Sequence, residues 1–490
     1  MKRIQRILFV MLIFWGTSGC DSRVEPTAKM GVMPAVIPDY AGVTIPSGIA
    51  PLNFRVDGEY ERIQVVFGPA EGEPWHVTGK QSVDIPLRKW HEMLDRNRGK
   101  SIRVTTAVKQ NKTWSEYDPF EWYVSGDSID HGLAYRLIAP GYEVYSKMGI
   151  YQRNLSNFDQ TAIYENTLVA GSCVNCHSFK MNDPATMSMH LRGTKGGTML
   201  LSDDDMEWLS TKTEKTMSNF VYPFWHPSGN FVAYSVNNTH QVFHSSNVKR
   251  VEVFDAKSDV VVYDISKKQA ILSERLMQDS IFETFPTFSP DGLTLYFCAA
   301  VAKTMPAEFE EVHYDLCRIG FDPKTGTFGD KIDTVFNASS NGQSVTFPRP
   351  SPDGRYIMFT MADYGNFSIW HKEADLYLLD LQTGLTRALD EVNSTGTESY
   401  HSWSSNSRWF VFSSRRDDGL YTRPYIAHLD ESGKAGKPFL LPQKKIDFYD
   451  ELIYSFNIPE FLSGPVKLDI PALEEKMSSS PDTVSFRQTY

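Results

Sequence analysis

From about residue 220 the chain alternates hydrophobic and polar positions in short runs, and the runs recur in a fixed order. Tyr222-Pro-Phe-Trp-His-Pro-Ser-Gly229 leads into Asn230-Phe-Val-Ala-Tyr-Ser235. Phe285-Pro-Thr-Phe-Ser-Pro-Asp-Gly292 leads into Leu293-Thr-Leu-Tyr-Phe297, and Phe347-Pro-Arg-Pro-Ser-Pro-Asp-Gly354 into Arg355-Tyr-Ile-Met-Phe-Thr360. A looser copy runs from Tyr400-His-Ser-Trp-Ser-Ser-Asn-Ser407 into Arg408-Trp-Phe-Val-Phe-Ser413. Each copy predicts a short strand, a tight turn and an alternating strand, with Gly supplying positive φ in the turn. Further strands follow, such as 260–265 and 375–381. Units of about fifty to sixty residues and about four strands predict a β-propeller, because one small sheet cannot bury both faces and a ring of them can.

The region before the clear repeats continues the pattern. Thr186–Leu191 and Gly196–Ser202 alternate as strands behind a segment at 172–179. Setting His177 against His226 and Ser289 places Cys173 where Phe285 stands, so 172–191 reads as part of a blade. Only some forty-five residues lie between His177 and Tyr222, too few for an inserted helical domain. Residues 134–164 are rich in β-formers and, with Leu452–Phe456, predict a further blade closed by both chain ends. The count is six blades, with seven as the alternative.

Upstream, Leu52–Val56, Ile63–Phe67, Ser101–Val108 and Phe120–Val124 predict strands, and Leu87–Arg96 a short helix. Strand number and spacing over residues 40–128 suit an immunoglobulin- or fibronectin-like β-sandwich. The chain is thus expected to be all-β. Residues 1–20 are a leader, 21–39 a tether, 40–128 a sandwich, 129–462 a propeller and 463–490 a polar tail.

The Ser-Pro-Asp-Gly cores at 285–297 and 347–360 resemble the TolB-like propeller repeats, a WD-like family of bacterial periplasms. That resemblance implies a six-bladed ring and a protein- or peptide-binding role. The leader carries Lys2, Arg3 and Arg6, an apolar run Ile7–Trp15, and Gly16-Thr-Ser-Gly-Cys20. It resembles a bacterial lipoprotein signal with Cys20 as the acylated residue, although Thr17 stands where Leu is usual. This implies a periplasmic or outer-membrane lipoprotein held to its membrane by lipid alone, since no other stretch is long and apolar enough to span. The formal net charge of −11 argues against nucleic-acid or anionic-lipid partners.

The chemistry concentrates at Cys173-Val-Asn-Cys176-His177. Cys-x-x-Cys-His is the attachment signature of a c-type haem. Two thiols at that spacing reach the two vinyl groups of one porphyrin, and the adjacent imidazole becomes the proximal iron ligand. The alternatives are a redox pair, half a zinc site or a plain short disulfide; the first lacks its βαβ context, and the second lacks another ligand pair. One covalent haem c is therefore expected, with Cys173 and Cys176 as thioethers and His177 on the iron. The sixth position is open to His190 or Met189 first, then to His401 and His226. His401 stands where Pro286 and Pro348 stand in the sister repeats. Cys298 and Cys317 lie on neighbouring strands, paired or simply buried. The acidic runs 202–207 and 308–315 read as solvated turns. There is no phosphate loop, dinucleotide fingerprint, zincin helix or nucleophile elbow.

Three functions fit these features. The first is a monohaem c-type cytochrome-like protein passing single electrons between redox partners, with the propeller as docking surface. The second is a binding scaffold with a structural or sensory haem. The third is a haem oxidoreductase with an open iron site.

Overall fold

The computed structural model describes residues 23–139, 147–169, 171–193, 196–202, 205–243 and 251–489. The leader and Cys20 lie outside them.

The repeats form a six-bladed β-propeller. Blade two has Ser172–Lys180 as its inner strand, followed by Asp183–Gly193, Gly197–Ser202 and Asp205–Ser210. Blades three to six begin with Phe220–Trp225, Ile281–Phe288, Ser344–Pro350 and Glu398–Trp403. Blade one is made from both ends of the propeller. Its inner strand is Ser455–Leu462, which pairs with Gly132–Ile138 ahead of Gly149–Asn154 and Gln160–Glu165. Each inner strand touches those of the blades on either side, and the circle closes between Ser455–Leu462 and Ser172–Lys180. The closing strand starts three residues later than the alternation at 452–456 suggests.

Residues 463–490 are more than a polar tail. Helix Ile470–Ser478 is capped by the Asp469 carboxylate, which accepts from the Ala472 amide, and it buries Leu473 and Met477. Asp482–Thr483 and Ser485–Thr489 then add parallel outer strands to blades two and three.

A bulge repeats in the inner strands. Tyr222, Phe285, Phe347, Tyr400 and Ile458 adopt left-handed φ of 50°, 50°, 51°, 51° and 51°. Each occupies a register shift in its ladder. Left-handed backbone is costly for a bulky residue and persists where its surroundings compensate. For the four aromatic residues the compensation is ring contact: centroids are 4.5 Å apart for Tyr222–Phe285, 4.1 Å for Phe285–Phe347 and 4.7 Å for Phe347–Tyr400. Pro follows four of the five, where a bulge has no use for an N–H.

The N-terminal region is sheet-rich. A seven-stranded sheet contains Arg62–Pro69, Lys100–Gln110 and Phe120–Ser125, and a helix covers Leu87–Arg96 as the sequence suggests. Of 52–56 only Arg55–Val56 is strand, paired with Val36–Ile37. This region shares one hydrophobic core with blades one, five and six. His428 Nε2 lies 2.7 Å from Asp127 Oδ2, and Ser405 Oγ donates to Asp130 Oδ1 at 2.6 Å. Among the described residues no helix is long and apolar enough to cross a membrane.

The propeller buries carboxyl groups as well as apolar ones. Burial, and then the neighbouring Asp259, push Glu283 up to about 9. It is therefore protonated in the fold at neutral pH and ionised in the unfolded chain. The stability it contributes is complete below its ordinary value of 4.5 and is lost as pH rises toward 9. The expected result is a melting temperature that falls by a few degrees between pH 7 and 9, at up to ~1.4 kcal/mol per pH unit for this group. Glu283→Gln should flatten that limb, which a pH series of thermal melts will check.

Candidate functional site

Register identifies the blade-two counterpart of the aromatic bulge residues. The shift in this inner strand falls between Val174 and His177, and in blade three between Val221 and Phe224. Asn175 therefore corresponds to Tyr222 and Phe285, and Cys176 to Pro223 and Pro286. The alignment of His177 with His226 and Ser289 is corrected by two residues, and Phe179 takes that place. The slip has a local cause. Blade two turns through Met181 and Asn182, with φ of 46° and 65°, in place of the four-residue Ser-Pro-Asp-Gly turn. A match on turn residues is displaced by that difference.

Asn175 is not among the left-handed residues, and its side chain is small and polar. The aromatic plug is thus interrupted at blade two, and a cavity of about 380 Å³ opens there. That volume is within the ~300–1,000 Å³ usual for cofactor and ligand pockets. Cys173 and Cys176 line it, with Asn175, Tyr222, Tyr400 and Trp370. Three arginines, Arg136, Arg192 and Arg415, complete the polar wall. Part of the covering comes from blade three, whose strands Phe231–Phe243 and Val251–Asp264 run on beyond their sheet and bring Thr239, Gln241 and Val253 to the cavity. Their stem is tied across to blade five. The buried Asp255 carboxylate accepts from Asn237 and Thr239, both at 2.6 Å, and from Asn366 at 2.5 Å.

The two thiols are unbridged. Cys176 is buried, and its thiol is pushed up by burial. Cys173 pairs with Arg192 in the ladder, so these side chains share one sheet face. His177 pairs with Met189, one bulge further on, and lies on the opposite face with Met187 and Leu191. It does not line the cavity. Its Nε2 is 3.6 Å from Glu460 Oε2, and both ring nitrogens are buried without a hydrogen-bond partner. Burial and the nearby Arg136 push the imidazole down to about 3, and burial pushes Glu460 up to about 8. The pair is thus a neutral imidazole beside a protonated carboxyl at neutral pH.

As a donor set these residues fit a covalent haem: two free thiols on a cavity wall, cations for its acid groups, and a neutral imidazole with unpartnered lone-pair nitrogen. The structure brings the thiols together with the arginines and leaves the imidazole behind the sheet. Among the described residues no three His, Cys, Asp or Glu side chains converge as a metal-holding group. A haem iron takes its equatorial ligands from the porphyrin and needs only one or two from protein.

The candidates for the sixth position are dispersed. Met189 is fully buried in the blade-two core on the His177 face. His190 is buried on the other face, pushed down to about 3 by burial. His401 occupies the bulge position of Pro286 and Pro348, as expected, and its Nε2 lies 2.9 Å from Met358 O. His226 is held in its turn by Ser228 Oγ at 2.8 Å and Gly292 O at 3.0 Å. None of the four is among the described cavity walls. Cys298 and Cys317 are free; Cys298 opposes Leu316 and Cys317 opposes Phe297, so adjacent rungs send them to opposite faces and separate cores.

The arginine wall was not anticipated. Its signal was the bulge motif, since matching aromatic-Pro pairs in place of turn residues exposes Asn175 as the odd member.

No family model matches the chain, and no curated protein does. Solved structures do. Prolyl oligopeptidase B from Galerina marginata aligns with TM-score 0.36 and 10% identity over 78% of this chain and 52% of that one. The tricorn protease gives 0.34 and 10% over 70% and 34%. The β-propeller domain of the Trilobed protease from Pyrococcus furiosus gives 0.33 and 10% over 67% and 79%. The chain spans about a third of the tricorn protease and about half of the prolyl oligopeptidase. Likeness of this degree carries no argument about activity. The chain contains a six-bladed β-propeller.

Proposed function

We propose that the chain is an exported, lipid-anchored, monohaem c-type cytochrome-like protein that moves single electrons, kin to the TolB-like propellers, with its ring and its N-terminal sandwich-like module as surfaces for redox partners. One observation carries this reading. The Cys-x-x-Cys-His segment forms the inner strand of the one blade whose bulge has no left-handed residue, and both its thiols are free on the wall of the cavity beside it. When attached, haem supplies a one-electron couple. The chain's part is to tether it through Cys173 and Cys176 and to wall it from water, and the neutral His177 nitrogen would serve as ligand only once its ring comes round from the opposite sheet face. Glu460 is the carboxyl placed to accept from the other ring N–H and orient the ligand.

The test is expression of the full chain with a haem-maturation system, followed by a haem stain and reduced spectra with and without carbon monoxide. A low-spin spectrum indifferent to carbon monoxide is the expected result. A high-spin haem that binds the gas shifts the reading to an oxidoreductase with an open iron site. Protein without a Soret band ends both and leaves a binding scaffold.

A further inference from the structure

We infer that Arg136, Arg192 and Arg415 form a cradle that holds the carboxylates of a porphyrin tethered at Cys173 and Cys176; the occupant rests on the haem reading above, the cradle on geometry alone.

Three blades supply the guanidinium groups. Arg136 comes from blade one, Arg192 from blade two and Arg415 from the end of the second strand of blade six. All three line one cavity, and the described walls contain no Asp or Glu. That is contrary to the chain's composition, which has 60 acidic residues against 49 Lys and Arg. Arg136 is only 8% exposed. Its Nη1 donates to the neutral Asn175 amide oxygen, and its Nε has no hydrogen-bond partner. A buried guanidinium whose side-chain partner is neutral and whose charged neighbour is a second cation, Arg192, is expensive unless an anion completes it. Arg415 sits over Trp370 with its guanidinium carbon 4.0 Å from the ring centroid. That stacking fixes a planar fork suited to carboxylate. Arg192 stands opposite Cys173 in the ladder, so one thiol and one guanidinium project from the same face.

A haem carries two carboxylates, and thioether attachment at this wall delivers them into a space whose described lining carries only cations, with the buried Asp255 behind Thr239. The cations lower the cost of those carboxylates and favour the reduced, less positive iron. Arg136→Gln and Arg192→Gln in the holoprotein should each lower the ferrous-to-ferric ratio at a fixed poise about tenfold, which for a one-electron couple is 59 mV. Arg88→Gln, 90% exposed on the N-terminal helix, should leave it unchanged. Arg192 is exposed, so its variant folds even if Arg136→Gln does not. Haem attached with both potentials unmoved overturns the cradle and leaves the haem reading standing. Protein that takes no haem at all overturns the occupant. Wild-type protein is then melted with succinate: a stabilisation lost in Arg192→Gln means the anion comes from solution, and no stabilisation removes the cradle as well.

Discussion

With Cys173 and Cys176 both replaced by alanine, the matured protein loses its Soret band and weighs one haem less than wild type, yet it still melts as a folded propeller. The effect on cofactor is all-or-none because each thioether is a covalent bond formed during maturation. The effect on stability is small because the thiols do little packing. Cys173 is half-buried on the cavity wall, and Cys176 opens onto the same space. Truncation there adds to an existing cavity, and ~1 kcal/mol or less per sulfur is the expected loss. Intact mass, a haem stain and a thermal melt on one preparation read all three quantities. His177→Ala separates attachment from ligation. It should retain mass from the thioethers while its spectrum becomes high-spin. Wild-type protein matured under the same conditions with no haem mass would sink the redox account. A double variant that still holds haem through denaturation would refute attachment at these sulfurs.

The ring was legible because its physics is local and repeated. Alternation at 230–235, 293–297, 355–360 and 408–413 marks second strands, and Pro-Asp-Gly marks turns, so four blades could be read directly. Blade two was legible in part. Its strands 186–191 and 196–202 follow from alternation, and the brevity of the gap before Tyr222 excludes an inserted domain. Its register was not, because the turn at Met181–Asn182 is a different length from its sisters. Two residues of slip decide which residue plugs the channel, and the cavity follows from that. The helix in the tail is hidden from composition for another reason. Ile470, Leu473 and Met477 are spaced as one face of a helix, but the surrounding Glu, Lys and Ser give the segment a polar composition. The face of His177 was also beyond alternation, since a bulge between Val174 and His177 reverses the side to which later residues point.

These two corrections bear on each other. A blade whose bulge position is Asn175 loses the ring contacts that compensate left-handed backbone elsewhere, and it does not adopt that backbone. The register shift between Val174 and His177 is kept without a left-handed residue, and Cys176 lies on the cavity wall. In blades three to six an aromatic ring would fill the same space. The motif and the gap in the plug are therefore one feature of blade two, and either substitution of Asn175 by Phe or insertion of a sister repeat would be expected to close the cavity.

Removing residues 453–490 should abolish cooperative unfolding, the larger of the two stability effects expected for this chain. Ser455–Leu462 is the inner strand of blade one, and Phe456, Phe461 and Leu462 are buried. Its backbone also fastens blade six. The Phe456 carbonyl accepts from Thr422 Oγ1 at 2.7 Å and Ser413 Oγ at 2.8 Å, and the Pro459 carbonyl accepts from Ser402 Oγ at 2.7 Å. Without this strand, Gly132–Ile138 becomes an open edge and the faces of blades two and six lose their neighbour. Open edges and uncovered apolar faces favour aggregation over a stable arc. A chain ending at Leu468 keeps the closing strand and loses Leu473, Met477 and Val484 from the cores of blades two and three. At ~1.5–3 kcal/mol for each buried apolar side chain, that costs several kcal/mol and lowers the melting temperature without opening the ring. The two truncations should thus differ in kind: one cooperative melt at reduced temperature, and one with no cooperative transition. Adding residues 453–490 as a peptide should restore the transition to the shorter chain, since the missing strand pairs by ordinary antiparallel hydrogen bonds to Gly132–Ile138. A 1–452 chain that melts cooperatively at the wild-type temperature would show that the circle is not what holds these blades together.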